Sequence, residues 1–272
     1  MLFIDPLNMS RLQKTGIIVI LSIFSTLGLS LVSGFGGLLG FYIPQYAGAE
    51  GKTYADISAL MTYPSLFMGI GNLIGMPIAY AVGRRIVLLV STLIMIAGAI
   101  MAARAEHYTF HLWSRCLIGI AAGQSEALVP MITQEIFFLH ERSQALMVQQ
   151  TVQVLLTTIF TLFASPIAAA ITPQWWYGLG ACLAAAQFIG ALFLLPETKY
   201  KRSMGAYQEG GSEVELSTVR PALDNVNYAP RTFRSDMRLW VQAPEWTAAW
   251  TALRVSLLWS ALAVMFIDWT YN

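Results

Sequence analysis

Charge is what this chain has least of. Asp, Glu, Lys and Arg make up 11% of its 272 residues, where soluble proteins carry about a quarter because their surfaces face water. With 56% hydrophobic residues beside that, a water-soluble class is excluded and the solvent for most of the chain is lipid. The 16 basic and 15 acidic residues leave a net charge of +1, so no basic face is available to displace counterions from phosphates, and nucleic acid is excluded as a partner. Cysteine is scarce too. Cys116 and Cys182 both lie in apolar runs with no CxxC and no His at metal spacing, so they read as buried thiols, and neither a redox pair nor a metal site is expected. No GxSxG elbow, HExxH helix, P-loop or GxGxxG stands on a plausible scaffold. The chain is therefore read as a non-enzyme without cofactors.

The gaps between charges count the spans. Residues 15–46 carry no charge and exceed the ~20 residues needed to cross a hydrocarbon core of ~30 Å. They are too long for a signal-peptide apolar region, so this segment is kept as a first membrane helix. Asp56 to Arg84 and Arg85 to Arg104 enclose 27 and 18 uncharged residues, one helix each. Residues 108–132 form a fourth, interrupted by Arg115 and Glu126. Between Arg142 and Glu197 the chain is uncharged for 54 residues, enough for two crossings joined at Thr172-Pro173-Gln174, where Pro cannot continue helical hydrogen bonding. The expected architecture is an all-α membrane protein. Residues 1–14 form its N-terminus, 15–196 a six-helix transmembrane bundle, 197–250 a polar linker rich in Gly and Pro, and 251–272 a partial seventh helix.

Lys and Arg are retained on the cytoplasmic side of membranes. With the N-terminus cytoplasmic, Arg11, Lys14, Arg84, Arg85, Arg142, Lys199, Lys201 and Arg202 fall inside, and only Lys52 and Arg104 outside. Trp113 and the Trp175-Trp176-Tyr177 cluster then lie at the outer interface, where amphipathic rings sit. This topology keeps the Asn8-Met9-Ser10 acceptor in the cytosol, where it would not be glycosylated.

Polar stripes mark helices that face other helices or water, because lipid offers polar groups nothing. The first span places Ser22, Thr26, Ser30 and Ser33 on one side, with Gly37. The fifth repeats the pattern with Gln149, Gln153, Thr157 and Thr161, and the fourth aligns Arg115, Gly119, Ala122 and Glu126, with Gln124 opposite. Spans three and six carry little beyond Ser91, Thr92 and Gln187 and are expected to be the outer, lipid-facing members. Hydroxyl rows also arise from ordinary packing, and the pairs Gly36/Gly40, Gly71/Gly75 and Gly119/Gly123 read as small-residue contacts between helices. Arg115 and Glu126 differ, because a charge inside a span is costly unless it meets a partner or a wet cavity. Eleven residues, about 16 Å along the axis, separate them, so they cannot pair. His107 and His111 stand at i, i+4 without a third ligand and read as interfacial residues.

Six spans, a short basic turn after the second and a polar linker after the sixth resemble the N-terminal half of a major facilitator superfamily transporter. That family's turn between helices two and three reads G-x-L-a-D-r-x-G-r-r. Residues 76–85 read MPIAYAVGRR, matching at Gly83, Arg84 and Arg85, with Met76 in place of the first glycine and Tyr80 in place of the acid. The family's helix-four pattern R-x-x-q-G is similar to Arg115–Gly119, with Ile118 for the glutamine. Its antiporter pattern in helix five is similar to residues 161–170, where Pro166 is kept and Thr161, Ser165, Ala169 and Ala170 replace glycines. Pro196-Glu197-Thr198-Lys199 and Phe138-Leu139-His140-Glu141-Arg142 resemble fungal members of the drug:proton antiporter branch, and the likeness covers residues 15–202.

The resemblance implies transport of a small organic solute as proton-coupled efflux, in a plasma or vacuolar membrane, with substrate held near the midplane between two six-helix halves that rock about it. Spans one, four and five would face the cavity. Arg115 and Glu126 are the candidates for proton exchange, Glu126 as carrier because low dielectric disfavours a charged carboxylate. Gln149, Gln153, Thr26 and Ser30 are the candidates for the substrate cavity. Gly83, Arg84 and Arg85 would form the conformational latch that the family builds on its loop. The partners implied are the bilayer, a small solute and protons. This chain supplies one half and is expected to be incomplete or truncated, so a second half or another membrane protein must enclose the cavity. The other reading is a non-transporting remnant that acts, if at all, by associating with another membrane protein.

Overall fold

The computed structural model describes residues 10–198 and, apart from 248 and 256, residues 246–258. The described chain is all helix without strands. α1 (Arg11–Ser33), α2 (Phe35–Ala49), α3 (Tyr54–Ala81), α4 (Arg84–Ala103), α5 (Tyr108–Ile136), α6 (Leu139–Leu162), α7 (Ala164–Ala170) and α8 (Gln174–Leu194) follow one another. Six segments are long and apolar enough to cross a membrane: α1 with α2 up to Gly48, then α3, α4, α5, α6 with α7, and α8. The crossings expected from the charge gaps are therefore present. The expected linker lies mostly outside the described residues, as does the last part of the seventh run. Residues 246–258 are helical where described.

Local chemistry sets the boundaries. Ser10 caps α1 through a capping box, its Oγ accepting from the Gln13 amide at 3.3 Å while Gln13 Oε1 accepts from the Ser10 amide at 3.2 Å. Thr53 and Asp56 do the same for α3. Two spans are broken in mid-course. At Gly34 the backbone amide bonds Ser30 O at 2.7 Å, α1 ends, and a new helix starts at Phe35. A Cβ on Gly34 would sit 2.7 Å from the Trp176 ring, so glycine lets the indole lie against the break. In the fifth span the helix stops at Phe163, three residues before Pro166, which lacks the N–H that would bond the Leu162 carbonyl.

α5 is the centre of the bundle, packed on α3, α4 and α1, while α1 also meets α6 and α8. The glycine pairs bring α3 and α5 into backbone contact. A Cβ on Gly119 would collide with the Pro64 carbonyl, one on Gly123 with that of Met68, and one on Gly71 with that of Ile120. Gln124 spreads over the bare backbone of Gly75 and donates to Gly71 O at 2.7 Å. These glycines serve close helix packing.

The outermost helices are only partly the ones expected. The apolar windows of spans one and four are 67% covered, that of span three 50% and that of span six 33%, but spans two and five are more open still, at 22% and 17%. Within the six-helix block α3 and α6 are thus the open members. Apolar composition could not separate these cases, since α4 meets helices on some faces and lipid on others, and both accept the same side chains.

Candidate functional site

Arg115 lies seven residues into α5, 1% exposed, with no carboxylate bound to it among the described residues. Its Nε donates to Leu60 O at 2.8 Å, Nη2 to Val32 O at 2.9 Å, and Nη1 to the Tyr177 hydroxyl at 2.6 Å and, at 3.5 Å, to Leu31 O. The Phe35 ring stacks on the guanidinium, 4.2 Å from its centroid. Sequence explains why these acceptors are free. Pro64 sits four residues after Leu60 and offers no amide, so the Leu60 carbonyl lacks its helical donor. Leu31 and Val32 are among the last residues of α1, where carbonyls lack intrahelical donors and the helix dipole is negative. One proline and one helix break therefore solvate a cation in a place where water is scarce, and its planar fork of donors joins α5 to α1, α3 and α8.

The network continues past Tyr177. The Tyr177 hydroxyl lies 3.2 Å from His111 Nε2, and His111 Nδ1 lies 2.9 Å from the Tyr46 hydroxyl. An imidazole with one protonated nitrogen donates to one of these hydroxyls and accepts from the other. Tyr42 and Tyr46 stack beside it, 5.6 Å between centroids. His111, Trp176 and Tyr177 are all fully buried, which corrects their reading as interfacial residues. Trp113 and Trp175 remain exposed. Cys116 is buried as expected, but Cys182 is exposed on α8.

A second network ties the opposite end of the bundle. Arg84 pairs with Glu135 of α5, Nη2 to Oε1 at 2.7 Å and Nε to Oε1 at 3.1 Å, and stacks on Tyr80. Glu197 accepts from the Arg84 amide at 3.0 Å and the Arg85 amide at 3.2 Å, a carboxylate on the first turn of α4. Thr198 donates to Glu135 Oε2 at 2.8 Å, and Arg85 Nη2 donates to Leu192 O at 2.6 Å. Gly83 has φ +140°, and a Cβ there would lie 2.6 Å from Glu197 Oε2, so only glycine admits the carboxylate. Two acids from distant points of the chain thus meet the Gly83–Arg85 turn, where Tyr80 stacks on Arg84.

Of the stripes of α1 and α6, Ser22, Thr26, Ser30, Gln149 and Gln153 are buried, Thr157 and Thr161 half-buried, and Ser33 and Gly37 exposed. Gln149 Nε2 donates to Gln153 Oε1 at 2.9 Å, and Ser30 Oγ donates back to Leu27 O at 3.2 Å. Ser22, Thr26, Thr157 and Thr161 hydroxyls and Gln149 Oε1 are buried without a partner among the described residues. Glu126 is exposed. It lies one turn past Ala122, which packs on Gly28 of α1, and past Gly123, which packs on Met68 of α3, so it opens on the groove between α1 and α3. Arg115 and Glu126 share a stripe but not an environment. Pro166 begins the fifth span's second helix as part of α7.

The sugar (and other) transporter family matches residues 17–210. The chain belongs to that family. Among curated relatives, the protein HOL1 of Saccharomyces cerevisiae is 32% identical over 182 residues, covering 64% of this chain and 30% of HOL1. A Schizosaccharomyces pombe protein named as an uncharacterised MFS-type transporter is 27% identical over 207 residues, covering 73% of this chain and 34% of its own length. The chain therefore spans about a third of these relatives. Among solved structures, the inward-open xylose transporter XylE from E. coli superposes with a TM-score of 0.56 at 16% identity over 79% of this chain and 58% of XylE. The peptide transporter POT does so with 0.59 at 16% identity over 76% and 44%. These likenesses show the fold, and the described bundle is the N-terminal half of a major facilitator transporter.

For a transporter half of this kind, sequence reasoning missed the groups around Arg115. His111 offered a signal as a lone polar residue in an apolar run, but Tyr42, Tyr46 and Tyr177 are indistinguishable in sequence from interfacial aromatics. Glu135 offered a better one, since it stands near the Arg84 end of the fourth span.

Proposed function

We propose that the chain is the first half of a secondary transporter that moves a small organic solute out of the cytoplasm in exchange for protons. Its N-terminus is cytoplasmic, in the plasma or vacuolar membrane. The observation that carries this reading is the pairing of opposites on α5: a guanidinium buried among neutral acceptors, and eleven residues on a carboxylate exposed in a groove with no partner among the described residues. Arg115 and the Arg84–Glu135–Glu197 network clamp the helices at both ends, which suits a half that rocks as one body. The second half covers α3 and α6 and encloses the groove. Glu126 takes up the proton there, and Gln149, Gln153, Thr26 and Ser30 form the wall that keeps α1 and α6 in register behind the solute.

The test uses this chain completed by a second half and reconstituted in vesicles with an imposed pH gradient. Solute should move against the gradient, and Glu126→Gln should abolish proton movement while solute still binds. Undiminished proton movement in that variant removes Glu126 from the mechanism.

A further inference from the structure

The spans of α1 and α6 run side by side in the same direction, for Lys14 lies against Phe137 and Phe138, and Gly37 against Ala164 and Ser165. Lys14 stands two turns before Ser22 on the face that α1 turns to α6, and Arg142 stands two turns before Gln149 on the buried face of α6. Lys14 thus reaches the N-terminal end of α6, whose first turns carry Arg142. Lys14 is 7% exposed, its ammonium 5.2 and 4.9 Å from the ring centroids of Phe137 and Phe138. The ammonium makes no hydrogen bond or ion pair among the described residues. Arg142 donates its amide to Phe138 O at 2.9 Å, and its Nε is buried without a partner among the described residues.

At the same end of the bundle Arg84 has Glu135, but among the described residues no acid pairs with Lys14 or Arg142. Glu141 stands beside His140 at 3.8 Å, and the first turn of α6 has no side-chain cap. Two like charges and the positive end of a 24-residue helix thus meet without an anion among the described residues, which is unfavourable where they are buried. Leu139, in the same first turn of α6 as Arg142, is apolar and 72% exposed, and it lies at the end of its span, where headgroups meet acyl chains.

We propose that Lys14, Arg142 and the first turn of α6 bind the headgroup phosphate of an anionic phospholipid, whose acyl chains run past Leu139. The site needs only a bilayer and stands whether or not Glu126 carries protons. Juxtamembrane cations attract anionic lipid additively, and the phosphate meets helix amides as anions do at other helix N-termini.

The experiment is native mass spectrometry of the full chain in neutral detergent, with phosphatidylserine or phosphatidylcholine added. The wild type should retain phosphatidylserine over phosphatidylcholine by roughly tenfold, and Lys14→Gln with Arg142→Gln should erase the preference while Lys14→Arg preserves it. Competition by inorganic phosphate, with a rise in the wild type's unfolding temperature that the double variant lacks, would support the phosphate site and name a soluble anion as its occupant. Equal retention of both lipids by the wild type, or an unchanged preference in the double variant, overturns the proposal. Should the double variant fail to fold, the wild-type lipid contrast and Lys14→Arg decide.

Discussion

Arg115 shows how a single residue type fixes a site. A lysine has the same charge but not the planar fork, so it cannot reach the Leu60 and Val32 carbonyls and the Tyr177 hydroxyl together. Arg115→Lys should therefore lower the unfolding temperature of the chain in detergent although charge is kept, and an unchanged temperature would show that charge alone matters there. Tyr177→Phe leaves both Arg115 Nη1 and His111 Nε2 short of a partner, at a cost of about 1–3 kcal/mol, read in the same thermal assay. Gly83→Ala forces a side chain at φ +140° into the Glu197 carboxylate. It should expose the loop between α3 and α4 to limited proteolysis, where Gly48→Ala, which meets nothing within 4 Å, should not.

At the scale of elements, prolines and glycines do the positioning. Pro64 frees the Leu60 carbonyl for Arg115, and Gly119, Gly123 and Gly71 let α5 and α3 touch backbone to backbone. Gly123→Val drives a branched side chain into the Met68 carbonyl and should cost several times as much stability as Gly69→Val on the open face of α3, where no atom lies within 4 Å. Equal losses at the two positions would mean that helix propensity, and not the contact, dominates. The small-xxx-small pattern in the sequence already indicated such packing, but not which helices it joins, because any two small-residue faces can approach closely. The break at Gly34 was not legible at all: the run of glycines permits a break but does not demand one, and Trp176, which occupies the space, is 142 positions away.

For the whole molecule, the open faces of α3 and α6 set the expectation. Leu66 is 60% and Leu155 57% exposed. Cysteines placed there should react with a lipid-soluble maleimide in this chain alone and be shielded when a second half is added, while a cysteine at Leu93 of α4, 49% exposed, stays reactive in both. Shielding at Leu93 instead would place the second half on the other side of the bundle. The polar stripes had pointed to α1, α5 and α6 as the helices around a cavity. The structure puts α1 and α5 at the centre and buries Ser22, Thr26 and Ser30 of α1 and Gln149 and Gln153 of α6, leaving Ser33 exposed.

By itself the sequence determined that the chain lies in lipid, that its described residues hold six spans long enough to cross, and where its charges collect. These follow from hydropathy and length, which act locally and need no knowledge of neighbours. Only the tertiary structure decided what Arg115 meets, that Glu135 pairs with Arg84 while Glu197 holds the first amides of α4, and which helices remain uncovered. Those outcomes depend on contacts between segments far apart in the chain, and in a medium where lipid and helix are equally apolar no local pattern distinguishes the one neighbour from the other.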